Sequence, residues 1–167
     1  TMSQIKNDEQ AVSALFTRLF AFAVMTSLLV TAVYLALVLL LPAFAAYRGM
    51  YAVLAVQILF ICFATDWANE AYESYGFILV KTFFCRLLYV VAVFVFVRKS
   101  DDVLIYVCLS SLSLLVNNVL TFCYAKTRIR FSKTSPKEIA SLAKPLFVVF
   151  LLVNSGMLYT IFDRFVL

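Results

Sequence analysis

Long apolar runs, rather than alternation of apolar and polar residues, dominate the pattern of this chain. A membrane-spanning helix needs about 20 apolar residues, whereas strands of a membrane barrel alternate and are separated by frequent turns. The pattern therefore predicts an all-α, multi-spanning transmembrane helix bundle with about five spans. The predicted spans are residues 19–41, 50–65, 77–97, 103–124 and 145–167.

The polar positions between these runs predict how the spans are connected. Arg48 and Gly49 are expected to form the turn between the first and second spans. Residues 98–102 form so short a connection that the third and fourth spans must be antiparallel neighbours in a tight helical hairpin. Asp101 or Asp102 can cap the helix that follows.

The connection before the fifth span is longer and strongly basic. Residues 135–138 read Ser-Pro-Lys-Glu, the form of a capping box with proline at the first helical position. Apolar residues on one face after it predict an amphipathic interfacial helix. This stretch serves either to bind the membrane or simply as a cytoplasmic anchor. Its basic residues are Lys126, Arg128, Arg130, Lys133, Lys137 and Lys144.

Basic residues in short loops set the orientation of a membrane protein. Together with Lys6 and Arg18, the connection before the fifth span places eight basic residues on one side. The opposite side has three: Arg48, Arg98 and Lys99. The N-terminal tail and residues 66–75 are therefore predicted to be cytoplasmic.

Composition supports a membrane protein and excludes several kinds of site. Hydrophobic residues make up 65% of the 167 residues and charged residues 14%, where a soluble domain has about 25% charged residues. The net charge of +5 follows from the basic loops, and no aromatic-basic groove predicts a nucleic-acid partner. The chain has no histidine, and its cysteines lie in apolar runs without a CxxC spacing. We therefore expect no metal, no cofactor and no catalytic residue.

Two basic residues lie within the third span, where an ionisable group needs a partner or water. Arg86 is roughly ten residues in, about 14 Å along the helix, and is expected to face a bundle interior or a water-filled cavity. It is either an anion contact, through paired hydrogen bonds, or half of a structural ion pair. Lys81 lies one turn into the helix and is expected to snorkel, with Glu73 or Glu70 as its partner.

Three acidic residues follow the second span at i, i+4 and i+7 spacing: Asp66, Glu70 and Glu73. If this segment is helical, they form one acidic stripe. The default interpretation is a solvated face or an ion pair with Lys81. The alternative is a gate or a proton-coupling site.

Polar residues also interrupt the fourth and fifth spans. Asn117 and Asn118 lie near the middle of the fourth span, where amides either tie helices together or bind sugar. Asn154 has a similar position in the fifth span. Asp163 and Arg164 are adjacent near its outer end, and adjacent helical residues do not face each other. Each of the two is therefore expected to contact other helices or a cavity.

Four stretches of the chain carry a family resemblance. They read DWANEAYESY at 66–75, FVRKSDD at 96–102, and KPL at 144–146 with LYTIFDR at 158–164. The fourth is the segment at 5–18, which precedes the predicted first span. In order and spacing they resemble Wzx-type oligosaccharide flippases, the polysaccharide biosynthesis branch of the MOP exporter superfamily. The match covers essentially the whole chain, but only the middle of the family's length.

The resemblance implies an organisation and a function. Residues 1–134 would be the four-span end of an N-terminal bundle, and residues 135–167 the interfacial helix and the start of the next bundle. Family members flip undecaprenyl-pyrophosphate-linked repeat units across the bacterial cytoplasmic membrane for capsule or O-antigen assembly. The implied partners are this lipid-linked oligosaccharide, membrane lipids and the remaining helices of a longer flippase. The implied activity is transport rather than catalysis.

The resemblance, together with charge, selects candidate residues for binding and gating. The substrate-binding candidates are Arg86 and Arg164 for the pyrophosphate, Asn117, Asn118 and Asn154 for sugar, and Asp163. The gating or ion-coupling candidates are Asp66, Glu70, Glu73 and Lys81.

Three rival functions remain open from the sequence. A multidrug exporter of the same superfamily would bind organic cations through inner acidic residues. A membrane-embedded polysaccharide polymerase would need a large outer loop with catalytic residues, and the predicted outer loops are only a few residues long. A purely structural bundle is the third.

Overall fold

A computed structural model describes residues 8–99 and 101–166, and among these the side chains of 157, 158 and 160–166 are outside the description. The described chain is 87% helical and contains no strand. Five helical segments within it are long and apolar enough to cross a membrane. The predicted all-α multi-spanning bundle is therefore confirmed, and the chain is a membrane protein.

The described residues form seven α-helices and two 3₁₀ turns. The helices are α1 Glu9–Leu40, α2 Arg48–Leu59, α3 Asp66–Ala71, α4 Tyr75–Phe96, α5 Val103–Arg128, α6 Pro136–Ser141 and α7 Ala143–Val166. The 3₁₀ turns are Pro42–Tyr47 and Phe60–Phe63. The second spanning segment, Pro42–Ala71, combines α2, α3 and both turns.

Helix α1 begins ten residues before the predicted first span. The Asp8 carboxylate caps it by accepting hydrogen bonds from the backbone N–H groups of Gln10 and Ala11, at 3.1 and 3.0 Å. The 32 residues of α1 extend about 48 Å, well beyond the hydrocarbon core of about 30 Å. The charge-free run thus located only the apolar part of a longer helix.

The predicted turn at Arg48 and Gly49 is wrong, because both residues lie in the first turn of α2. The chain reverses earlier, in the 3₁₀ turn Pro42–Tyr47, where proline occupies the first helical position and needs no N–H partner. Arg48 instead donates a hydrogen bond from its guanidinium to the Leu39 carbonyl, at 3.4 Å. That carbonyl lies in the last turn of α1, where backbone acceptors lack helical partners.

The short connection between α4 and α5 forms the predicted hairpin. The Asp102 carboxylate accepts hydrogen bonds from the backbone N–H groups of Arg98 and Lys99, at 3.0 and 2.9 Å. These bonds hold the pKa of Asp102 below its usual value. Asp102 directly precedes α5, but its side chain makes no capping bond to that helix. It stabilises the connection instead.

The predicted capping box at the start of α6 is present. The Ser135 hydroxyl accepts from the Glu138 N–H, and the Glu138 carboxylate accepts from the Ser135 N–H, both at 3.4 Å. The Thr134 hydroxyl, the Ser135 N–H and the Arg18 guanidinium lower the pKa of Glu138. The Arg18–Glu138 ion pair, at 3.1 Å, links α6 to α1.

The spans pack in an order that differs from their order in the chain. Helix α1 packs on α2, α2 packs on α5, and α5 packs on α4, whereas α7 packs mainly on α6. Along most of their length the helices expose large apolar side chains. Such exposure fits a lipid environment and leaves only a small buried core.

The buried core gathers at one end of the bundle. Five buried residues form it: Val12, Phe16, Ala68, Ala125 and Ile129. The start of α1, helix α3, the end of α5 and helix α6 therefore lie at the same end, as the distribution of charge predicted. Which side of the membrane this end faces, and the division at residue 134, stay predictions.

Aromatic rings fill this core. Phe16 is fully buried, and its ring centroid lies 5.6 Å from that of Trp67 and 5.7 Å from that of Phe131. The connection after α5 folds back over α1 here, where the Thr17 hydroxyl accepts from the Ser132 N–H at 3.0 Å. These contacts fix α1, α3 and the end of α5 around the charged residues described next.

Candidate functional site

A buried ion pair lies beside the aromatic core. The Lys81 ammonium on α4 is 2.9 Å from the Asp66 carboxylate at the start of α3. It also donates a hydrogen bond to the Thr121 hydroxyl on α5. The exposed fraction of the Lys81 side chain is 2% and that of Asp66 is 36%. One charge of the pair is therefore almost fully removed from solvent and the other is not.

Neutral groups complete this cluster. The Thr121 hydroxyl has two acceptors in range, the Asp66 carboxylate at 3.1 Å and the Asn117 carbonyl at 2.9 Å. The Asn69 side chain donates to the Thr121 carbonyl at 3.2 Å, and both residues are buried. The polar cluster of Asp66, Asn69, Lys81 and Thr121 thus ties α3, α4 and α5 together at one end of the bundle.

Two predictions about Lys81 are wrong. Its partner is Asp66 rather than Glu70 or Glu73, and it is buried rather than snorkelling. The acidic stripe would need a continuous helix through Glu73, but α3 ends at Ala71. Glu73 then has a φ of 57°, in the left-handed region that breaks helical spacing. The default expectation of an ion pair between this acidic segment and Lys81 is confirmed through Asp66.

Arg86 is exposed rather than facing the interior of the described bundle, and the alternative expectation, a water-filled cavity, stays a prediction. The preceding residue, Cys85, is buried on the side of α4 that meets α5, and consecutive residues of a helix are about 100° apart. That rotation leaves Arg86 exposed, with an electrostatic interaction to Tyr89. No carboxylate among the described side chains forms an ion pair with it.

The three asparagines are not brought to one place. Asn117 and Asn118 are half-buried on α5, and the side-chain oxygen of Asn117 is buried without a hydrogen-bond partner. Asn154, on α7, donates to the Phe150 carbonyl of its own helix at 2.7 Å. The side chains of Asp163 and Arg164 lie outside the described residues, so their predicted roles stay predictions.

Outside the polar cluster, Ser111 and Ser113 rather than Asn117 and Asn118 donate side-chain hydrogen bonds from α5 to neighbouring spans. The Ser111 hydroxyl on α5 donates to the Gln57 side chain on α2 at 3.4 Å. The Ser113 hydroxyl donates to the Cys85 carbonyl on α4 at 3.5 Å. Interhelical hydrogen bonding is therefore present on α5, but it comes from Ser111, Ser113 and Thr121 rather than from the side chains of Asn117 and Asn118.

An open groove of about 1010 Å³ lies between α1, α7 and the segment that leads into α3. Glu70 and Glu73, both exposed, are among the residues that line it. Arg86 and the three asparagines are not. The structure therefore divides the gating candidates between two places: Asp66 and Lys81 in the polar cluster, and Glu70 and Glu73 at the groove.

Sequence reasoning missed three buried polar residues at these two places. Asn69 and Thr121 belong to the polar cluster, and Thr65 lines the groove. Helical spacing offered a signal for two of them. Asn69 follows Asp66 at i+3, and Thr121 follows Asn117 at i+4, so each shares a helix face with a residue that had been singled out.

No protein-family model, no curated protein and no solved structure matches this chain. Among the residues that the structure describes, no three Cys, Asp or Glu side chains are grouped so that they could hold a metal ion. What the chain can do must therefore be argued from its spans, its charges and the groove.

Proposed function

We propose that this chain is part of a transporter that flips undecaprenyl-pyrophosphate-linked oligosaccharides across the bacterial cytoplasmic membrane. The proposal combines the sequence resemblance with one structural observation. Arg86 lies halfway along a membrane-spanning helix, is exposed there, and has no ion-pair partner among the described side chains. A guanidinium at that depth requires water or an anion, which a substrate pathway provides.

Arg86 would meet the pyrophosphate of the substrate. Its position, 11 residues after the start of α4, places it about 16 Å along the helix axis. A planar guanidinium can donate two parallel hydrogen bonds to phosphate oxygens, which an ammonium cannot do with the same geometry. The remaining helices of a longer transporter would cover this face of α4 and enclose the pathway.

The polar cluster would supply a rigid end to the moving bundle. It ties α3, α4 and α5 by an ion pair and hydrogen bonds that are largely removed from water. Transporters alternate between states mainly by moving whole bundles as rigid bodies. Asn117, Asn118 and Asn154 remain candidates for sugar hydroxyls, and Arg164 for a second cation at the pyrophosphate.

The test is repeat-unit export by cells that express the complete protein. Arg86→Ala is expected to abolish surface polymer while leaving the amount of protein in the membrane unchanged, because Arg86 is exposed and forms no ion pair with a described carboxylate. Arg86→Lys keeps the charge and is expected to restore part of the export. Arg98→Ala, in the connection between α4 and α5, is the matched control and is expected to export normally.

The readouts are surface polymer, the accumulated lipid-linked intermediate and the level of tagged protein. Normal polymer output from Arg86→Ala would remove Arg86 from the mechanism and with it the observation that carries the proposal. If Arg98→Ala lost export to the same degree, the loss would not be specific to Arg86. Removing either basic residue of this helical hairpin would then impair export.

A further inference from the structure

The basic connection between α5 and α7 is held against the end of the bundle. Ile129, directly after α5, is 2% exposed. The Ser132 N–H donates to the Thr17 hydroxyl on α1 at 3.0 Å, and the Arg18–Glu138 ion pair, at 3.1 Å, joins α6 to the same helix. The side chains of this connection are therefore kept close to the level at which the spans leave the bilayer.

Lys137 and Lys144 share one face of a nearly continuous helix. Only Leu142 separates α6 from α7, and its φ of −76° and ψ of −18° are helical. Residues seven apart lie on the same helix face, here about 10 Å apart along the axis. Ile139 and Leu146 lie on the opposite face and are half-buried, and Leu146 lines the groove beside α1. The lysine face therefore points away from the bundle.

Two of the six basic residues in this connection already have partners in the chain. The Lys126 ammonium lies 4.6 Å from the centroid of the Phe131 ring, and the Arg128 guanidinium donates to the Tyr124 hydroxyl at 2.9 Å. The other four are Arg130, Lys133, Lys137 and Lys144. All four are exposed, and none of them forms an ion pair with a carboxylate of the described chain. They are available to an external anion.

Exposed apolar surface begins directly beyond these residues. Arg128 is the last residue of α5, Lys144 lies in the first turn of α7, and both helices are candidate spans. Phe147 and Val148 are exposed one turn after Lys144. The basic residues thus lie at the depth of the phospholipid headgroups, which flank a hydrocarbon core of about 30 Å. A headgroup phosphate is already at this depth, whereas a soluble polyanion would have to displace lipid.

We propose that Arg130, Lys133, Lys137 and Lys144 bind the headgroups of anionic phospholipids in the surrounding bilayer. Ammonium and guanidinium groups donate to phosphodiester oxygens. Residues 126–144 contain a single acid, Glu138, which already pairs with Arg18, so the local charge is strongly positive. That charge repels the ammonium of a zwitterionic headgroup and favours a lipid with net negative charge. The contact is separate from Arg86 and does not depend on the proposed transport.

The test compares two lipids that differ in headgroup charge. The full chain is reconstituted in phosphatidylcholine bilayers with a trace of spin-labelled phosphatidylglycerol or spin-labelled phosphatidylcholine, and electron paramagnetic resonance gives the fraction of label immobilised by the protein. We expect phosphatidylglycerol to associate about two- to fivefold more strongly, since one basic residue at a charged surface contributes up to about fivefold and most of the lipid-facing surface is uncharged. Salt at 1 M, where the Debye length is about 3 Å, should reduce this preference.

A quadruple variant assigns the preference to the four residues. Arg130→Gln/Lys133→Gln/Lys137→Gln/Lys144→Gln is expected to bring phosphatidylglycerol to the level of phosphatidylcholine. Exchanging the basic types instead, as Arg130→Lys/Lys133→Arg/Lys137→Arg/Lys144→Arg, keeps every charge and should keep the preference. All four side chains are exposed, so far-ultraviolet circular dichroism of both variants should match the parent.

The opposite end of the bundle provides the matched control. Arg98→Gln/Lys99→Gln removes two exposed basic residues from the connection between α4 and α5. That connection also contains Asp101 and Asp102, so it has no excess of positive charge. This variant should keep the preference for phosphatidylglycerol, whereas Lys137→Gln/Lys144→Gln, with the same change in net charge, should lose part of it.

Three results would overturn the inference. The first is equal association of the two lipids with the parent protein. The second is an unchanged preference in the quadruple glutamine variant. The third is loss of the preference when glycerol phosphate is added at constant ionic strength, which would assign the residues to a soluble phosphate. Arg86→Ala should keep the preference, so this lipid contact and the proposed transport can each fail without the other.

Discussion

Removing Asp66 should destabilise the protein more than removing its partner Lys81. Asp66→Asn leaves an ammonium whose side chain is only 2% exposed, with only neutral acceptors beside it, the Thr121 hydroxyl and the introduced amide oxygen. Lys81→Met leaves a carboxylate that is 36% exposed and still has the Thr121 hydroxyl at 3.1 Å. The two variants break the same ion pair but leave charges in different environments.

The expected sizes follow from what each remaining charge can recover from water. Leaving a buried charge without its partner costs about 3–5 kcal/mol, which is our estimate for Asp66→Asn. The remaining carboxylate in Lys81→Met regains hydration, so its cost should approach that of an unsatisfied polar group, about 1–3 kcal/mol. We therefore expect a difference of about 2 kcal/mol between the two single variants.

The assay is equilibrium unfolding in mixed micelles with increasing SDS, followed by Trp67 emission and by far-ultraviolet circular dichroism. Lys99→Met, which replaces an exposed lysine, is the control for loss of a positive charge and should change the unfolding free energy by less than about 0.5 kcal/mol. The double variant Asp66→Asn/Lys81→Met should cost less than the sum of the two single changes, since no unpaired charge remains.

The reasoning would be refuted by the opposite order of the two single variants. If Lys81→Met were the more destabilising change, the ammonium would be contributing through its packing or its bond to Thr121 rather than through its buried charge. Additive costs in the double variant would also contradict it, because the two charges would then not interact.

Three further predictions concern the same end of the bundle. Thr121→Val keeps the shape of a fully buried side chain but removes the hydroxyl that bonds Lys81, and should cost about 1–3 kcal/mol in unfolding free energy; no change would mean that the hydroxyl is dispensable. Phe16→Ala removes a fully buried ring against Trp67, and should cost about 3–5 kcal/mol and shift the tryptophan emission to longer wavelength; an unshifted spectrum would contradict the contact. The pKa of Glu138 is lowered in the folded protein, so its stabilising contribution is present above the ordinary value of 4.5 and is lost as the pH falls through the lowered pKa. The difference in melting temperature between the parent and Glu138→Gln should therefore shrink on acidification, and a constant difference would refute the assigned cause.

Features that depend on neighbouring residues could be predicted from the sequence. The apolar runs predicted five spans, and the Ser-Pro-Lys-Glu pattern at 135–138 predicted a capping box that the structure contains. The short connection at 98–102 predicted a hairpin between antiparallel neighbours. The errors at helix ends are also local. Asp8 capped α1 earlier than the charge-free run indicated, and Arg48 began a helix where a turn was expected.

The polar cluster could be predicted only in part. The depth of Lys81 and the acidity of the segment before it indicated an ion pair, but spacing could not tell which acid would be the partner. That choice was made by the break after Ala71, which removes Glu73 from the helix, and by α5, which brings Thr121 against Asp66. The position of α5 between α2 and α4 follows from packing, since it differs from the order of the spans in the chain.

The sequence by itself determined which segments cross the membrane and how far along its helix Arg86 lies. Only the tertiary structure decided that Arg86 points away from the described bundle while Cys85, one residue earlier, meets α5. The reason is physical. In water, burial separates apolar from polar faces, so the pattern reveals which side of a helix is inside. Lipid is as apolar as a protein core, so a spanning helix is apolar on every face. Its rotation about its own axis is therefore set by packing against other helices.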